Sequence, residues 1–400
     1  MSSRRIQAFV NCLAILMATA PGLAGPLDPP AGPVAATNRT QILSAPYVIS
    51  SPGSYVLARE LVMDNGMPPG VAVTINASRV TLDLNGFTIR TGRIQSSPAI
   101  TLASGISSVV IRNGKISGFG GQWTGGIIGA DARKCRVEDL IIEQYAGGTV
   151  ADRVGVKLGR GAVVTRCDVS ESDGRGLELG DDSLVTDCTM FNHSNGSIST
   201  GQRSIVRGCT CSFSGGPGSS TSISAGAGVL IEDCSFGPAN FQPGTAVLAG
   251  DSSTIRRCSV TGGSVNTPIK FIAGANAVIA DCSLQESSIT VGIGSRVQNC
   301  TVGSAQQNYS LVVASSRCSV TGCTLSGGLE GINATGPGIY IDGNTIGGAA
   351  TGIALMGTGS RVTRNALNGC TAAIGNAAGN DVAPSGTAAA TTNPWANLVN

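Results

Sequence analysis

The chain has 400 residues, of which 57 are glycine, 42% are hydrophobic, 4% are aromatic and 12% are charged. Charged residues make up about a quarter of an average globular protein, so a core here must be built from small and β-branched side chains. The net charge of +2 leaves no electrostatic footprint for nucleic acid or an anionic membrane, and the single histidine, His193, excludes a His-rich metal site.

Residues 1–24 read as an export signal. Arg4 and Arg5 precede an apolar run from Ala8 to Ala20 that is too short to span a bilayer, and small residues follow. Gly22-Leu23-Ala24 fits a cleavage site better than Ala18-Thr19-Ala20, which Pro21 follows; the alternative is a buried N-terminal helix. No other stretch approaches a membrane-spanning length, so a secreted or periplasmic protein without membrane insertion is expected. Residues 25–41 form a Pro-rich linker with Pro26, Pro29, Pro30 and Pro33. The folded body is expected from near Ile42, with strands at Tyr47-Val48-Ile49 and Tyr55-Val56-Leu57.

Farther on, the chain repeats itself. Val164-Thr165-Arg166-Cys167, Val185-Thr186-Asp187-Cys188 and Val206-Arg207-Gly208-Cys209 recur at a period of 21. The series continues through Cys234, Cys258, Cys282, Cys300 and Cys323, and then through Asn344 and Asn365. All ten units carry Val or Ile three residues before the Cys or Asn, and nine carry Gly eight residues before it. The same frame fits Asn113 upstream, and Asn85 and Asp139 more loosely, which makes about 13 units spaced by 18 to 28 residues. Leu177-Glu178-Leu179 alternates with strand periodicity, and the units are too short for a βαβ crossover of about 30 residues. The expected fold is therefore all-β: a single parallel β-helix solenoid of about 13 coils over residues 42–375. Corner glycines supply residues able to adopt φ > 0. Terminal caps complete it, with 376–400 as a C-terminal capping tail that Trp395 packs over the last coil.

Val80-Thr81-Leu82-Asp83-Leu84-Asn85-Gly86-Phe87-Thr88-Ile89 and Val109-Val110-Ile111-Arg112-Asn113-Gly114-Lys115-Ile116 resemble the opening coils of right-handed parallel β-helix proteins of the pectin-lyase-like superfamily. Asn344-Thr345-Ile346 is similar to the Asn-x-Ile turn of those repeats. Ser51-Pro52-Gly53-Ser54-Tyr55 and Asn393-Pro394-Trp395-Ala396-Asn397 resemble a secreted bacterial branch of that superfamily with no assigned activity. The resemblance covers about residues 40 to 400 and implies a right-handed coil, as does the rule for parallel crossovers. It implies almost nothing about chemistry.

Eight of the 13 cysteines occupy one equivalent position in successive units. Stacked side chains point the same way, whereas a disulfide needs converging Cβ atoms about 3.8 Å apart. The eight are read as a ladder of buried thiols, with Asn85, Asn113, Asn344 and Asn365 taking the same slot. Pairing of Cys135, Cys211, Cys318 and Cys370 stays open. No metal is expected, because Cys209-Thr210-Cys211 alone does not make a cluster.

Charge is concentrated between Asp152 and Asp187, with 13 charged residues in 36. Lys157 and Glu178 each stand between apolar residues and so point outward. Two readings follow. In the first, Lys157 stacks on Glu178, Arg160 on Asp181 and Arg166 on Asp187, each pair stabilising the sheet by roughly 0.2–1 kcal/mol. In the second, Glu178 and Asp173 are the paired carboxylates of a glycoside hydrolase. A polysaccharide lyase is the other catalytic form, with Ca²⁺ held by Asp173, Glu178 and Asp181 and with Lys157 or Arg175 as base. The polygalacturonases, whose fold this chain resembles, place paired aspartates, Gly-His-Gly and Arg-x-Lys on successive coils. Here Arg175 replaces the second aspartate in Ser172-Asp173-Gly174-Arg175-Gly176, and Asn195 replaces the histidine in Ser194-Asn195-Gly196-Ser197. No Arg-x-Lys occurs, so that activity is not implied.

Trp123 and Tyr145 are candidates for stacking on a sugar face, or cover the side of the solenoid. His193 is expected to be a solvated corner residue. The presumed outward positions Ser199, Ser224, Leu248 and Thr290 offer neither acid nor base. The favoured expectation is an exported solenoid that presents a face to a polysaccharide or cell-envelope glycan without cleaving it. The alternative is a polysaccharide lyase or glycoside hydrolase with its site on coils 152–200.

Overall fold

Each strand segment leaves one N–H and one C=O per residue to satisfy, and segments of three to five residues cannot do so alone. In the computed structural model each pairs with the equivalent segment one coil on, and every pairing among the described strands is parallel. The structure describes residues 39–63, 70–91, 98–118, 125–144, 153–172, 174–213, 221–237, 244–261, 268–306, 308–387 and 393–400; residues 1–24 and most of 25–41 lie outside them. Thr40–Asn400 forms one compact unit.

One face of the solenoid is a 15-stranded parallel sheet. Thirteen of its strands match the thirteen repeat units, and Tyr47–Ile49 and Ala372–Gly375 add one at each end. The remaining strands form a 30-stranded sheet that runs along two limbs of the coil. Val163–Thr165 pairs with Leu184–Thr186 on one limb, and Asp168–Ser172 pairs with Thr189–His193 on the other. Inward columns fill the interior. Val156, Leu177, Ile198, Ile223 and Val247 stand in register, and none is more than 1% exposed. Each such side chain contributes about 1.5–3 kcal/mol by burial. The C-terminal strand Asn397–Val399 pairs with Ala366–Asn368, and Trp395 lies over the guanidiniums of Arg361 and Arg364.

The cysteine ladder is present. Its eight thiols are buried, and all twelve described cysteines are free. Each ladder thiol reaches the carbonyl two residues back, as Cys188 Sγ does to Thr186 O at 3.2 Å, and six of the eight also reach a carbonyl of the preceding coil, for Cys188 that of Val164 at 3.7 Å. Hydrogen bonds to neighbouring thiols, and then burial, push Cys209 and Cys258 far above the ordinary thiol range. At Cys323 the ladder changes chemistry. Its N–H donates to Asn344 Oδ1 at 2.9 Å, Asn344 Nδ2 donates to Asn365 Oδ1 at 2.9 Å, and Asn365 Nδ2 donates to Asn397 Oδ1 at 3.1 Å. Asn85 and Asn113 do not share this slot. Both are exposed residues in left-handed backbone, and register aligns Leu140, not Asp139, with Gly114 in the preceding coil.

The corner glycines serve a different purpose from the one expected. Gly180, Gly226 and Gly250 do not have positive φ; a Cβ on any of them would stand 2.7–2.8 Å from a backbone nitrogen of the coil before. They are needed for close approach. Positive φ falls instead directly before the ladder residue, as at Arg166, Asp187 and Asp233, and six residues before it, as at Asp182, Arg203 and Asn276. A left-handed residue with a side chain costs roughly 1 kcal/mol or more. Backbone bonds from neighbouring coils hold it there, Arg166 N donating to Thr186 O at 3.1 Å and Asp187 N to Arg207 O at 3.0 Å.

Gly226→Ala is expected to lower unfolding stability by about 1–3 kcal/mol, because backbone must move to admit the methyl; denaturant unfolding measures this. In the folded protein, thiol alkylation followed by peptide mass spectrometry is expected to label half-buried Cys370 and leave the ladder untouched until the chain is unfolded.

Candidate functional site

Val156, Leu158, Leu177 and Leu179 face the interior and are at most 5% exposed, and this turns Lys157 and Glu178 outward on the 15-stranded face. The two are in register in adjacent strands. Lys157 Nζ donates to Glu178 Oε1 at 2.7 Å, and Arg175 Nη1 donates to Oε2 at 3.1 Å. Burial pushes the Glu178 carboxyl up, but hydrogen bonds and charge from Lys157 and Arg175 outweigh it and hold the group below its ordinary value. Glu178 is thus ionised near neutral pH, with both oxygens engaged.

Asp181 serves the fold. Its Oδ1 accepts from Gln202 N at 2.9 Å, and Asp251 does the same for Ala275 N at 2.8 Å. Glu178 and Asp181 therefore have separate commitments, and among the described residues no group of three or more His, Cys, Asp or Glu side chains is gathered as a cation site. Asp173, Trp123 and Tyr145 lie outside the described residues.

Two of the three expected charge stacks are different. Arg160 Nε donates to Asp182 at 2.6 Å, not to Asp181, which is occupied by the Gln202 amide. Asp182 also accepts from Arg203 Nε at 2.8 Å. Arg166 turns back to Asp139 in a bidentate pair at 2.7 and 2.8 Å rather than forward to Asp187. Asp139, Arg166 and Asp187 share one left-handed column, so Arg166 has an acidic neighbour on either side and pairs with the earlier one, while Arg160 reaches Asp182, the left-handed residue after Asp181.

His193 is likewise not solvated. It ends strand Thr189–His193, is 2% exposed, and its Nε2–H donates to Val169 O at 2.9 Å. Gly176 makes room for the ring, since a Cβ there would stand 2.9 Å from Nε2. Burial lowers its pKa to about 4.

A second feature was not anticipated. A groove of about 810 Å³ lies between Ser259 and Gly327 over the limb that begins with Asp168–Ser172 and Thr189–His193, the third-strand limb of the coil. Its floor belongs to an in-register outward column that runs Thr189, Thr210, Ser235, Ser259, Ser283, Thr301, Thr324 and Thr345. The signal for it is present in the chain: Ser or Thr follows the ladder Cys or Asn in eight of the ten units.

No protein-family model matches the chain, and no curated protein does. Among solved structures, the A-module of mannuronan C-5 epimerase AlgE4 from Azotobacter vinelandii is similar at 14% identity and TM-score 0.42, over 78% of this chain and 91% of that one. The AlgE6 A-module from the same organism matches at 14% and 0.36, over 79% and 91%. The surface adhesin PfbA of Streptococcus pneumoniae matches at 10% and 0.39, over 79% and 84%. By its own strand pairing, this chain is a parallel β-helix protein.

In this β-helix the buried neutral His193 makes stability depend on pH. The folded pKa lies below the ordinary value of 6.5, so folding favours the neutral ring. Its contribution is complete above about pH 6.5 and is lost as pH falls toward 4, by up to roughly 3 kcal/mol. Denaturant unfolding of wild type and His193→Leu across that window is expected to show the wild type losing stability relative to the variant. A constant difference contradicts a buried neutral ring.

Proposed function

We propose that this chain is an exported β-helix protein that binds a polysaccharide or cell-envelope glycan and does not cleave it. The observation that carries the non-catalytic half is the state of Glu178, whose two oxygens are taken by Lys157 and Arg175. A hydrolase needs an acid that can give up a proton and a second carboxylate free to act, and a lyase needs a base with reach to its substrate. Glu178, Lys157 and Arg175 are engaged with one another, and Asp181 is engaged with the Gln202 backbone amide. Glycan binding is supported by the architecture, because a stack of coils offers the same group at regular intervals along a line, as a polymer with a repeating unit requires. Export is supported by the order of Arg4-Arg5, the apolar run and the small residues that follow.

The test is incubation with uronate-rich and neutral polysaccharides, following unsaturated ends by ultraviolet absorbance and new reducing ends by a colorimetric assay. Neither product is expected, and the protein is expected to be retained on a polysaccharide. Glu178→Ala is expected to leave that retention unchanged and to alter stability by less than about 1 kcal/mol, as for a partly exposed ion pair. Product made by the wild type and by Asp251→Ala, but lost in Glu178→Ala, would establish a cleaving enzyme in its place.

A further inference from the structure

We propose that the groove between Ser259 and Gly327 is the glycan site and that it takes a neutral polysaccharide chain, an inference that rests on the glycan-binding reading above. Its floor is made by two outward columns of the third-strand limb. Ser259, Ser283 and Thr301 form one, while Gln285, Gly303 and Ser326 lie along the second. None of these residues is charged, and Ser283, Gln285, Thr301 and Ser326 are all exposed. Among the described residues, the hydroxyls of Ser283, Thr301 and Ser326 and the amide of Gln285 make no hydrogen bond. They contrast with the arginines and aspartates of the corners, which pair with each other.

The groove has a local cause. The unit from Cys282 to Cys300 spans 18 residues, the shortest spacing in the ladder. Glu286 alone links strand Ser283–Gln285 to strand Ser287–Val291, so this coil carries no inserted residues at that corner. Gly303 keeps the floor low, since a Cβ there would stand 3.0 Å from Ser326 Oγ.

The charge of the lining sets the ligand class. Among the described residues, no lysine, arginine or histidine lines the groove, and Glu286 is the one acidic group there. That carboxylate is held in place, Oε2 accepting from Ser304 Oγ at 2.8 Å and Oε1 from Ala305 N at 3.0 Å. A uronate, sulfated or phosphorylated polymer would meet a negative charge with no cation to offset it. A neutral chain brings hydroxyls that can donate to and accept from Ser, Thr and Gln side chains. Those side chains recur at the strand spacing of about 4.8 Å, so contacts repeat along the polymer.

Native affinity electrophoresis of the full protein tests this, in gels cast with galactomannan, mixed-linkage β-glucan, dextran or starch, and with polygalacturonate. At least one neutral polymer is expected to retard the wild type, with polygalacturonate weaker than that polymer. The double variant Gln285→Ala/Thr301→Ala is expected to bind about tenfold more weakly, the loss of two hydrogen-bonding groups. Thr301→Arg, which fills the groove, is expected to abolish retardation, and Ser224→Ala on the 15-stranded face to leave it unchanged; circular dichroism confirms that each variant is folded. Retardation that persists undiminished in both groove variants overturns this site and leaves glycan binding standing. Stronger retardation by polygalacturonate than by any neutral polymer overturns the ligand class. No retardation by any polymer overturns the glycan-binding reading itself, and this inference with it.

Discussion

Whatever stands at one position of a coil stands about 4.8 Å from its counterpart in the next, and that constraint governs the whole chain. Val, Ile and Leu tolerate copies of themselves and fill the inward columns. A charge does not, because like charges directly opposite one another destabilise a sheet. Charges therefore alternate in sign along a column or stand between neutral neighbours. Asp139 is followed by Arg166 and then Asp187 at one corner, and Arg207, Glu232 and Arg256 stand in register on a strand. The Glu232 side chain is 1% exposed and accepts from Arg207 at 2.5 Å, Arg256 at 2.6 Å and Arg257 at 2.8 Å. Burial pushes its carboxyl up, and the three guanidiniums outweigh this and hold it below the ordinary range. The 12% charged content is consistent with this limit: a charge fits where its column neighbour is complementary, as at Glu232, or neutral, as beside Lys270 and Arg296.

The same constraint explains the interior ladder. A thiol is small, weakly polar and able to give its proton to a carbonyl, so eight can stack without an unsatisfied donor. An amide stacks equally well because its Nδ2 and Oδ1 complement the next copy, which is why Asn344, Asn365 and Asn397 continue the column toward the C-terminal end. There the amides also tie down irregular chain, Asn397 Nδ2 donating to Ala383 O at 3.0 Å. The strong, directional bonds thus fall at the end of the ladder, where a solenoid no longer has a neighbouring coil to supply them.

Columns were legible in the sequence wherever one residue type repeats. Ten units with Val or Ile, Gly, and Cys or Asn at fixed offsets identify a solenoid, and the outward Lys157–Glu178 pair follows from strand alternation. Where several residue types share one geometric role, the pattern is obscured. Left-handed corners are filled by Arg, Asp, Asn, Ser and Gly alike, so their columns are invisible to a search for identity, and the Asp139 partner of Arg166 was missed for that reason. The corner glycines were legible as a motif but not as to cause, since turn conformation and close approach leave the same signature. His193 was misread because a lone histidine beside a corner gives no sign of the space that Gly176, in the preceding coil, leaves for it. The Ser/Thr column was available throughout, but threonine is also a favoured strand former, and only the groove above it separates the two meanings.

On a self-stacking surface, function is therefore best sought where groups lack partners within the fold. The charged cluster on coils 152–200 draws attention by composition, yet its best-placed side chains are already committed: Glu178 to Lys157 and Arg175, Asp182 to Arg160 and Arg203, Asp181 to a backbone amide. A column that neutralises itself has little interaction energy left for a ligand, because each contact with a partner first breaks one within the protein. The hydroxyl and amide groups at Ser283, Gln285 and Thr301 are in the opposite condition. Among the described residues they have no hydrogen-bond partner, so a ligand that offers them its own hydroxyls gains contacts without breaking a bond to those residues. An alternating column holds the fold together, whereas a column of identical neutral polar groups, which stacking permits but does not require, remains available to another molecule.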